Sequence, residues 1–90
     1  MQFDWDEDKA ATNLIKHGVP FNEALAVFLD VNRLDRYDER EDYGEDRFIT
    51  VGLVDGHELA VAYTLRDDTI RIISARKATP HERREYWKNR

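Results

Sequence analysis

The C-terminal segment IRIISARKATPHERREYWKNR, residues 70–90, holds the side chains whose types and spacing could do chemistry. Residues 69–90 contain seven Lys or Arg and two Glu, a net charge of +5, although the whole chain has a net charge of −5. Arginines on a rigid strand could offset the charge that develops on phosphorus, and a carboxylate or a phenol could move protons. The segment therefore has the ingredients of metal-free phosphodiester cleavage.

The pattern of this segment predicts a strand followed by a helix. Strict alternation divides the strand into two faces, with Ile70, Ile72, Ser74 and Arg76 on one and Arg71, Ile73, Ala75 and Lys77 on the other. One face should pack against helices, so the other should present at least one cation beside the final helix. In that helix Glu82 and Tyr86 are four residues apart and share one side.

Two other interpretations of the basic segment stay open on the residues alone. Thr79, Pro80 and Glu82 form a capping box with proline in the first helical position, which accounts for Glu82 without any chemistry. The other cations of the final helix are typical of a solvated face. They are Arg83, Arg84, Lys88 and Arg90. A protein-binding surface is as consistent with this composition as an RNA site.

Other kinds of site find little support in the sequence. The chain has no cysteine, which excludes disulfides, thiolate metal sites and a cysteine nucleophile. His17, His57 and His81 fall in three different predicted elements, and the acidic runs lack the spaced ligands of a calcium loop. The four glycines are scattered, so no glycine-rich phosphate loop is present. We therefore expect no metal and no cofactor.

Length and composition predict a single soluble domain. Ninety residues, 41% of them hydrophobic, suffice for one domain, 1–90, with a small core. The longest apolar run, ALAVFL, is too short to span a bilayer, and the acidic N-terminus lacks the apolar region of a secretory signal. We expect a cytoplasmic location. The negative net charge confines any polyanion site to a local patch.

Two helices are predicted in the first third of the chain. Asp6 is a typical N-cap residue and Gly18 a typical C-terminal residue for the first helix, whose apolar stripe should face the core. The stripe consists of Ala10, Ala11, Leu14 and Ile15. A second helix, FNEALAVFLD, follows Pro20. Before the first helix, FDW could form a short strand or a docked arm.

An antiparallel meander is predicted for the remainder of the chain. A short exposed strand in RLDRYDEREDYGEDR leads into an acidic loop, residues 35–46. Asp55-Gly56 between two β-branched runs is a strong hairpin signal, and Arg66–Asp68 make the next turn. The expected fold is an α+β domain in which two N-terminal helices pack on the sheet and a short C-terminal helix follows, with the helices against one sheet face.

The chain as a whole resembles the BrnT toxin family. The resemblance rests on KHGV followed by F, EA and VF in the first segment, on GEDRF in the centre, and on IRIISARKATPHERREY at the end, in that order. It implies a RelE-like α+β fold and a ribonuclease toxin of a type II toxin–antitoxin system. It also implies a BrnA-like antitoxin partner with a DNA-binding ribbon-helix-helix domain, and a two-plus-two complex that represses its own operon.

The resemblance also assigns roles to particular residues. It implies cleavage without a metal, in which the ribose 2′-hydroxyl attacks the adjacent phosphate and leaves a cyclic phosphate. The polar positions that recur in the family map onto Lys16, His17, Arg47, Tyr63, Arg66, Arg71, Arg76, Glu82 and Tyr86. We expect catalytic roles for Arg71 and Arg76 as cations, and for Glu82 and Tyr86 in proton transfer or in holding those arginines. The expected RNA-binding residues are Arg66, Lys77, Lys16 and His17, although His17 could instead cap the first helix.

One departure from the family pattern bears on activity. RDDT places two acids where the family usually has a glycine and a cation, which reduces the positive charge beside Arg66. Pro20 replaces a small hydroxyl residue, which changes a helix cap but no site. A second function therefore stays open as an alternative to the nuclease. The chain could be a weakly active or inactive antitoxin partner that acts as a transcriptional co-repressor. Direct DNA binding by this chain alone is disfavoured by its net charge of −5.

Overall fold

The protein folds as a five-stranded sheet with helices on both faces. The structure, a computed structural model, describes residues 1–40 and 44–88, so the middle of the predicted acidic loop and Arg90 lie outside the described residues. The elements in chain order are β1 (Gln2–Trp5), α1 (Glu7–His17), α2 (Phe21–Ala24), a 3-10 helix (Leu25–Leu29), β2 (Leu34–Tyr37), β3 (Arg47–Val54), β4 (His57–Arg66), β5 (Thr69–Lys77) and α3 (Pro80–Lys88). The predicted α+β class is confirmed. No helix in the described part of the chain is long and apolar enough to cross a membrane.

The sheet is mixed, with strand order β1-β5-β4-β3-β2. Strands β2 to β5 form the predicted antiparallel meander. The N-terminal FDW segment is a strand, β1, which runs parallel to β5 with Phe3 opposite Ile70 and Trp5 opposite Ile72. Because β1 joins the sheet at the edge beside β5, it places the start of α1 next to the basic C-terminal strand.

The predicted caps and turns lie where the sequence places them. The Asp6 carboxylate accepts hydrogen bonds from two backbone N–H groups of the first turn of α1, and Gly18 ends the helix with a φ of 70°. Asp55 and Gly56 both have positive φ, 49° and 81°, as a two-residue hairpin turn between β3 and β4 requires. These local signals fix the lengths of the elements that carry the charged side chains.

The predicted second helix is one turn of α-helix that tightens into a 3-10 helix. The tightening brings the 3-10 helix directly onto β3 at Gly52. A Cβ atom at Gly52 would lie 2.9 Å from Val27 Cγ1 and 3.3 Å from the Val27 carbonyl oxygen. Glycine is therefore needed here for the close approach of the two backbones.

The first helix buries only part of the apolar stripe that the sequence predicts, since Ala10 packs against the core but the other three residues are exposed. Leu14 is 47% exposed and Ile15 is 89% exposed, whereas Asn13 is buried. The Asn13 side-chain amide donates to the carbonyl oxygen of Ala75, 2.9 Å away, and accepts from its N–H at 3.1 Å. Asn13 thus pairs with β5 as a neighbouring strand would, just beyond the point where β1 ends. This pairing turns α1 so that Asn13 faces the sheet and Leu14 and Ile15 face outward.

The core is divided between the two faces of the sheet. Side chains of β4 alternate, so Leu59, Val61 and Tyr63 contribute to one cluster and Ala60 and Ala62 to the other. The first cluster contains residues of α2 and of the 3-10 helix, and the second contains Tyr86 of α3. The expectation that the helices share one face does not hold for α3. The continuous apolar run LAVAY in β4 is the sequence signal of a strand buried on both faces.

Candidate functional site

A β-bulge in β5 decides which basic side chains share a face. Ala62 pairs with Ser74 and Tyr63 pairs with Ile72, which leaves Ile73 as an extra residue. The extra residue reverses the alternation, so that Ile70, Ile72 and Ala75 all join the core on the side of α2. The predicted strict alternation along β5 is therefore wrong.

Because of the bulge, Arg71 and Arg76 lie on the same face of the sheet, the face that α3 covers in part. The strand pairings place the arginines of the other strands there too. Arg71 and Arg47 both pair with Thr64, one on each side of it, which separates their Cα atoms by about 10 Å at the usual strand spacing. We call this set the arginine face. It consists of Arg36, Arg47, Arg66, Arg71 and Arg76.

Two members of the arginine face, Arg36 and Arg76, share one carboxylate. Arg76 donates to both oxygens of Glu82, over 2.7 and 3.0 Å. Arg36, from β2, donates to Oε2 of the same carboxylate over 3.1 Å. Glu82 is 7% exposed, whereas the side chains of Arg36 and Arg76 are 51% and 28% exposed. Glu82 therefore holds two guanidinium groups at the surface from a buried position.

Glu82 is also half of the predicted capping box, which is confirmed. Its carboxylate accepts from the Thr79 N–H at 2.8 Å, and the Thr79 hydroxyl accepts from the Glu82 N–H at 3.1 Å. Burial alone would raise the pKa of Glu82, but the hydrogen bonds from Arg76 and Thr79, the charge of Arg76 and the hydrogen bond from Arg36 lower it to about 2. Such a carboxylate is ionised at neutral pH and is a weak base. The contacts of Glu82 therefore favour a role in holding Arg36 and Arg76 over a role in proton transfer.

Tyr86 lies one turn beyond Glu82 and is buried, with 2% of its surface exposed. Its hydroxyl donates to Asp30 Oδ2, which also accepts from the N–H of Leu53 at 2.9 Å. Asp30 thus joins the end of the 3-10 helix to both β3 and α3. This arrangement favours a structural role for Tyr86, and its part in proton transfer stays a prediction.

The other members of the arginine face are paired with acids near the sheet edges. Arg71 lies 3.3 Å from Asp4 of β1. Arg47 and Arg66 both approach Glu45, at 3.5 and 3.4 Å. Arg66 is more than half exposed at the turn between β4 and β5. The positive charge of the face is therefore offset by acids around its rim.

Three of the predicted RNA-binding residues lie away from the arginine face. Lys16 and His17, in the last turn of α1, line a groove of about 460 Å³ together with Ser74 of β5. The groove runs along the sheet edge beside the bulge, so it borders the arginine face. Lys77 lies on the opposite side, in a groove with Val54 and Leu59. The structure brings Lys16 and His17 to the border of the arginine face, and it places the side chain of Lys77, the last residue of β5, on the other face of the sheet.

The position of Arg36 in the site was not predicted from the sequence, because this arginine stands in a run of acidic residues. The signal that could have found it is the alternation along β2, which puts Arg36 on the same face as Leu34. Tyr63 lies on the other sheet face, where its hydroxyl donates to Asp35 at 3.0 Å. Burial and the neighbouring Asp35 carboxylate raise the pKa of Tyr63 to about 12, so it stays a neutral hydrogen-bond donor.

No three His, Asp or Glu side chains in residues 1–40 and 44–88 converge in a way that could hold a metal ion. The chemical groups that the site does assemble are guanidinium groups, with a carboxylate that holds two of them and an imidazole and an amine at the border. Guanidinium pairs of this kind recognise phosphate. The arrangement is therefore suited to a nucleic-acid backbone.

Comparison with known proteins agrees with this assignment. No curated protein matches the chain. A family model does match, over residues 5–82, and it describes the ribonuclease toxin BrnT of type II toxin–antitoxin systems. The matched region extends from β1 to Glu82 and so contains the whole arginine face. The chain belongs to the BrnT family of ribonuclease toxins.

Proposed function

We propose that this protein cleaves RNA on the arginine face without a metal ion. The observation that carries the proposal is the cluster in which buried Glu82 holds Arg76 by two hydrogen bonds and Arg36 by a third. Two cations and one carboxylate leave a net positive charge at a fixed position. Donors that are fixed before the reaction stabilise developing negative charge more than mobile donors do.

The proposed reaction is attack of the ribose 2′-hydroxyl on the adjacent phosphorus. The 2′-oxygen loses its proton and forms a bond to phosphorus, the bond to the 5′-oxygen breaks, and that oxygen takes up a proton. The products are a 2′,3′-cyclic phosphate and a 5′-hydroxyl. Arg36 keeps N–H donors on Nε and Nη1 that make no hydrogen bond within the described residues, so it can bind phosphate while Glu82 holds it.

The groups that move protons are proposed to lie in the groove beside the bulge. Glu82 and Tyr86 are both committed to internal hydrogen bonds. His17 lines the groove with Lys16 and Ser74, and histidine is the side chain best suited to proton transfer near neutral pH. We therefore propose His17 as the proton-transfer group and Arg71 as a second phosphate-binding cation.

Arg76→Ala tests the site directly. Removal of a fixed donor to the transition state should slow cleavage of RNA in EDTA by a factor of about 100 to 1,000. The measurement is the appearance of 5′-hydroxyl and cyclic-phosphate ends with purified, antitoxin-free protein. Arg84→Ala is the matched control, because Arg84 is an exposed arginine of α3 that makes no hydrogen bond or ion pair within the described chain.

The fold of the Arg76 variant must be checked, because Glu82 loses its main partner. Circular dichroism and thermal melting serve this purpose, and Arg36→Ala, at a half-exposed position, provides a second variant. A folded Arg76→Ala protein that cleaves as fast as the wild type would place the site elsewhere. Metal-dependent cleavage that EDTA abolishes would contradict the proposed chemistry.

The alternative function, an inactive antitoxin partner and co-repressor, is favoured by one observation. Each of the five arginines already has a carboxylate partner on the protein, so Asp4, Glu45 and Glu82 offset part of the positive charge that would attract a phosphate. Under this alternative the purified protein leaves RNA intact, while its complex with the antitoxin binds operator DNA more tightly than the antitoxin alone. The EDTA assay therefore decides between the two.

For the partner we propose a BrnA-like ribbon-helix-helix antitoxin and a two-plus-two complex in the cytoplasm. Membership of a type II toxin–antitoxin family supports a protein antitoxin. The mass of the co-expressed complex in solution, measured by light scattering, distinguishes a two-plus-two from a one-plus-one assembly.

A further inference from the structure

An exposed apolar stripe runs along α1. Leu14 is 47% exposed and Ile15 is 89% exposed, and exposed Ala11 lies one turn before them on the same side. Single exposed apolar residues are common on protein surfaces, but a stripe at helical spacing is typical of a helix that binds a partner. The stripe exists because Asn13 turns the opposite side of α1 toward β5.

An apolar groove adjoins the stripe and extends the same surface. The groove has a volume of about 330 Å³, and its walls include Trp5, Ala10, Leu14, Pro20 and Phe21. The walls are fixed by packing, since the rings of Trp5 and Phe21 meet edge to face with centroids 6.0 Å apart. A rigid groove beside an exposed stripe can take an apolar side chain without first rearranging.

The charges around this surface differ from those of the arginine face. Glu7, in the first turn of α1, lines the apolar groove. The two lysines of α1, Lys9 and Lys16, line the other groove, beside β5, together with Asp8. The surface is therefore apolar with one acid, Glu7, at its end, and it is complementary to an apolar segment with a cation at one end.

We propose that the α1 stripe and its groove bind an amphipathic segment of the antitoxin, with apolar residues for the stripe and a Lys or Arg opposite Glu7. Membership of the family indicates that the partner is a protein antitoxin. The residues of the surface indicate which side chains the binding segment should carry. The inference rests on that partner and not on the proposed RNA chemistry. Because the stripe is separate from the arginine face, the antitoxin can stay bound here without contacting the catalytic arginines.

The test is the double substitution Leu14→Glu and Ile15→Glu, at two exposed positions where a polar residue is tolerated. The binding partner is the purified product of the reading frame adjoining the toxin gene, and its affinity is measured by calorimetry. We expect the affinity to fall by a factor of about 30 or more, because apolar anchors dominate binding energy. Higher salt should weaken wild-type binding, since Glu7 at the end of the stripe is exposed.

The matched control is Leu29→Glu with Val31→Glu, two residues of another surface that are 82% and 95% exposed. This control should bind the antitoxin as the wild type does. Cleavage of RNA by the free α1 variant should be unchanged, which separates this inference from the proposed nuclease.

Three outcomes would overturn the proposal. The first is unchanged affinity in a folded α1 variant, or a greater loss in the control. The second is a wild-type protein that does not bind the adjoining gene product at all. The third is a wild-type dimer that the α1 substitutions dissociate while antitoxin binding persists, which would assign the stripe to a second copy of this chain.

Discussion

Glu82 is the residue on which the arginine face depends. It lies in the first turn of α3, where the capping box would place a glutamate in many helices, yet its carboxylate also accepts hydrogen bonds from Arg76 and Arg36. One side chain thus joins the start of a helix to two strands that are not adjacent. The local role could be predicted from TPHE, because it needs only four consecutive residues. The bond to Arg36, 46 residues away, could not.

Glu82→Gln should remove an acid-sensitive part of the stability. The pKa of Glu82 is lowered from 4.5 to about 2 in the folded protein, so its ionised form stabilises the fold above the unfolded pKa, and this stabilisation is lost as pH falls from about 5 toward 2. The shift corresponds to roughly 3 kcal/mol. Denaturant unfolding between pH 2 and 7 should show this loss in the wild type and not in Glu82→Gln.

The neighbouring Glu85→Gln serves as the control for that measurement, since Glu85 is on the same helix but makes no hydrogen bond to these arginines in the described residues. Its pH profile should follow that of the wild type. Equal acid sensitivity in wild type and Glu82→Gln would show that other groups control acid unfolding.

Among the elements, β5 shows most clearly how a single extra residue changes a surface. Strict alternation predicts Arg71 and Arg76 on opposite faces, and the bulge at Ile73 puts them on one. Hairpin turns and caps were predicted correctly because consecutive residues determine them. The bulge and the orientation of α1 were missed because they depend on residues distant in the chain, such as Asn13 and Ala75, 62 residues apart.

Gly52→Ala should test the close packing of the 3-10 helix on β3. A methyl group there meets Val27 Cγ1 at 2.9 Å and the Val27 carbonyl oxygen at 3.3 Å, so one of the two elements must shift. We expect a loss of about 1 to 3 kcal/mol in the free energy of unfolding. In the double variant with Val27→Ala, the clash with Cγ1 is gone, so the two costs should be less than additive. Strict additivity in chemical denaturation would argue against the contact.

At the scale of the whole molecule, the protein separates two surfaces of different chemistry. The face that α3 partly covers carries the five strand arginines, and the outer side of α1 carries an apolar stripe with Glu7 at one end. The net charge of −5 conceals this separation, because the acids lie at the rim of the arginine face and elsewhere on the surface. The sequence did indicate a local basic region. The strand order of the folded sheet was needed to show that Arg36 and Arg47 belong to that region.

The pairing of Asn13 with β5 has a consequence for association between molecules. One side-chain amide occupies the Ala75 N–H and carbonyl that a foreign strand would otherwise use. In Asn13→Ala the N–H and carbonyl of Ala75 lose that partner, so this part of β5 can pair with a strand of another molecule. We expect a lower melting temperature and, at high concentration, strand-exchanged oligomers visible by size-exclusion chromatography, whereas Thr12→Ala in the same helix should stay monodisperse. Asn13 would then be the residue that prevents strand pairing between the sheets of neighbouring molecules.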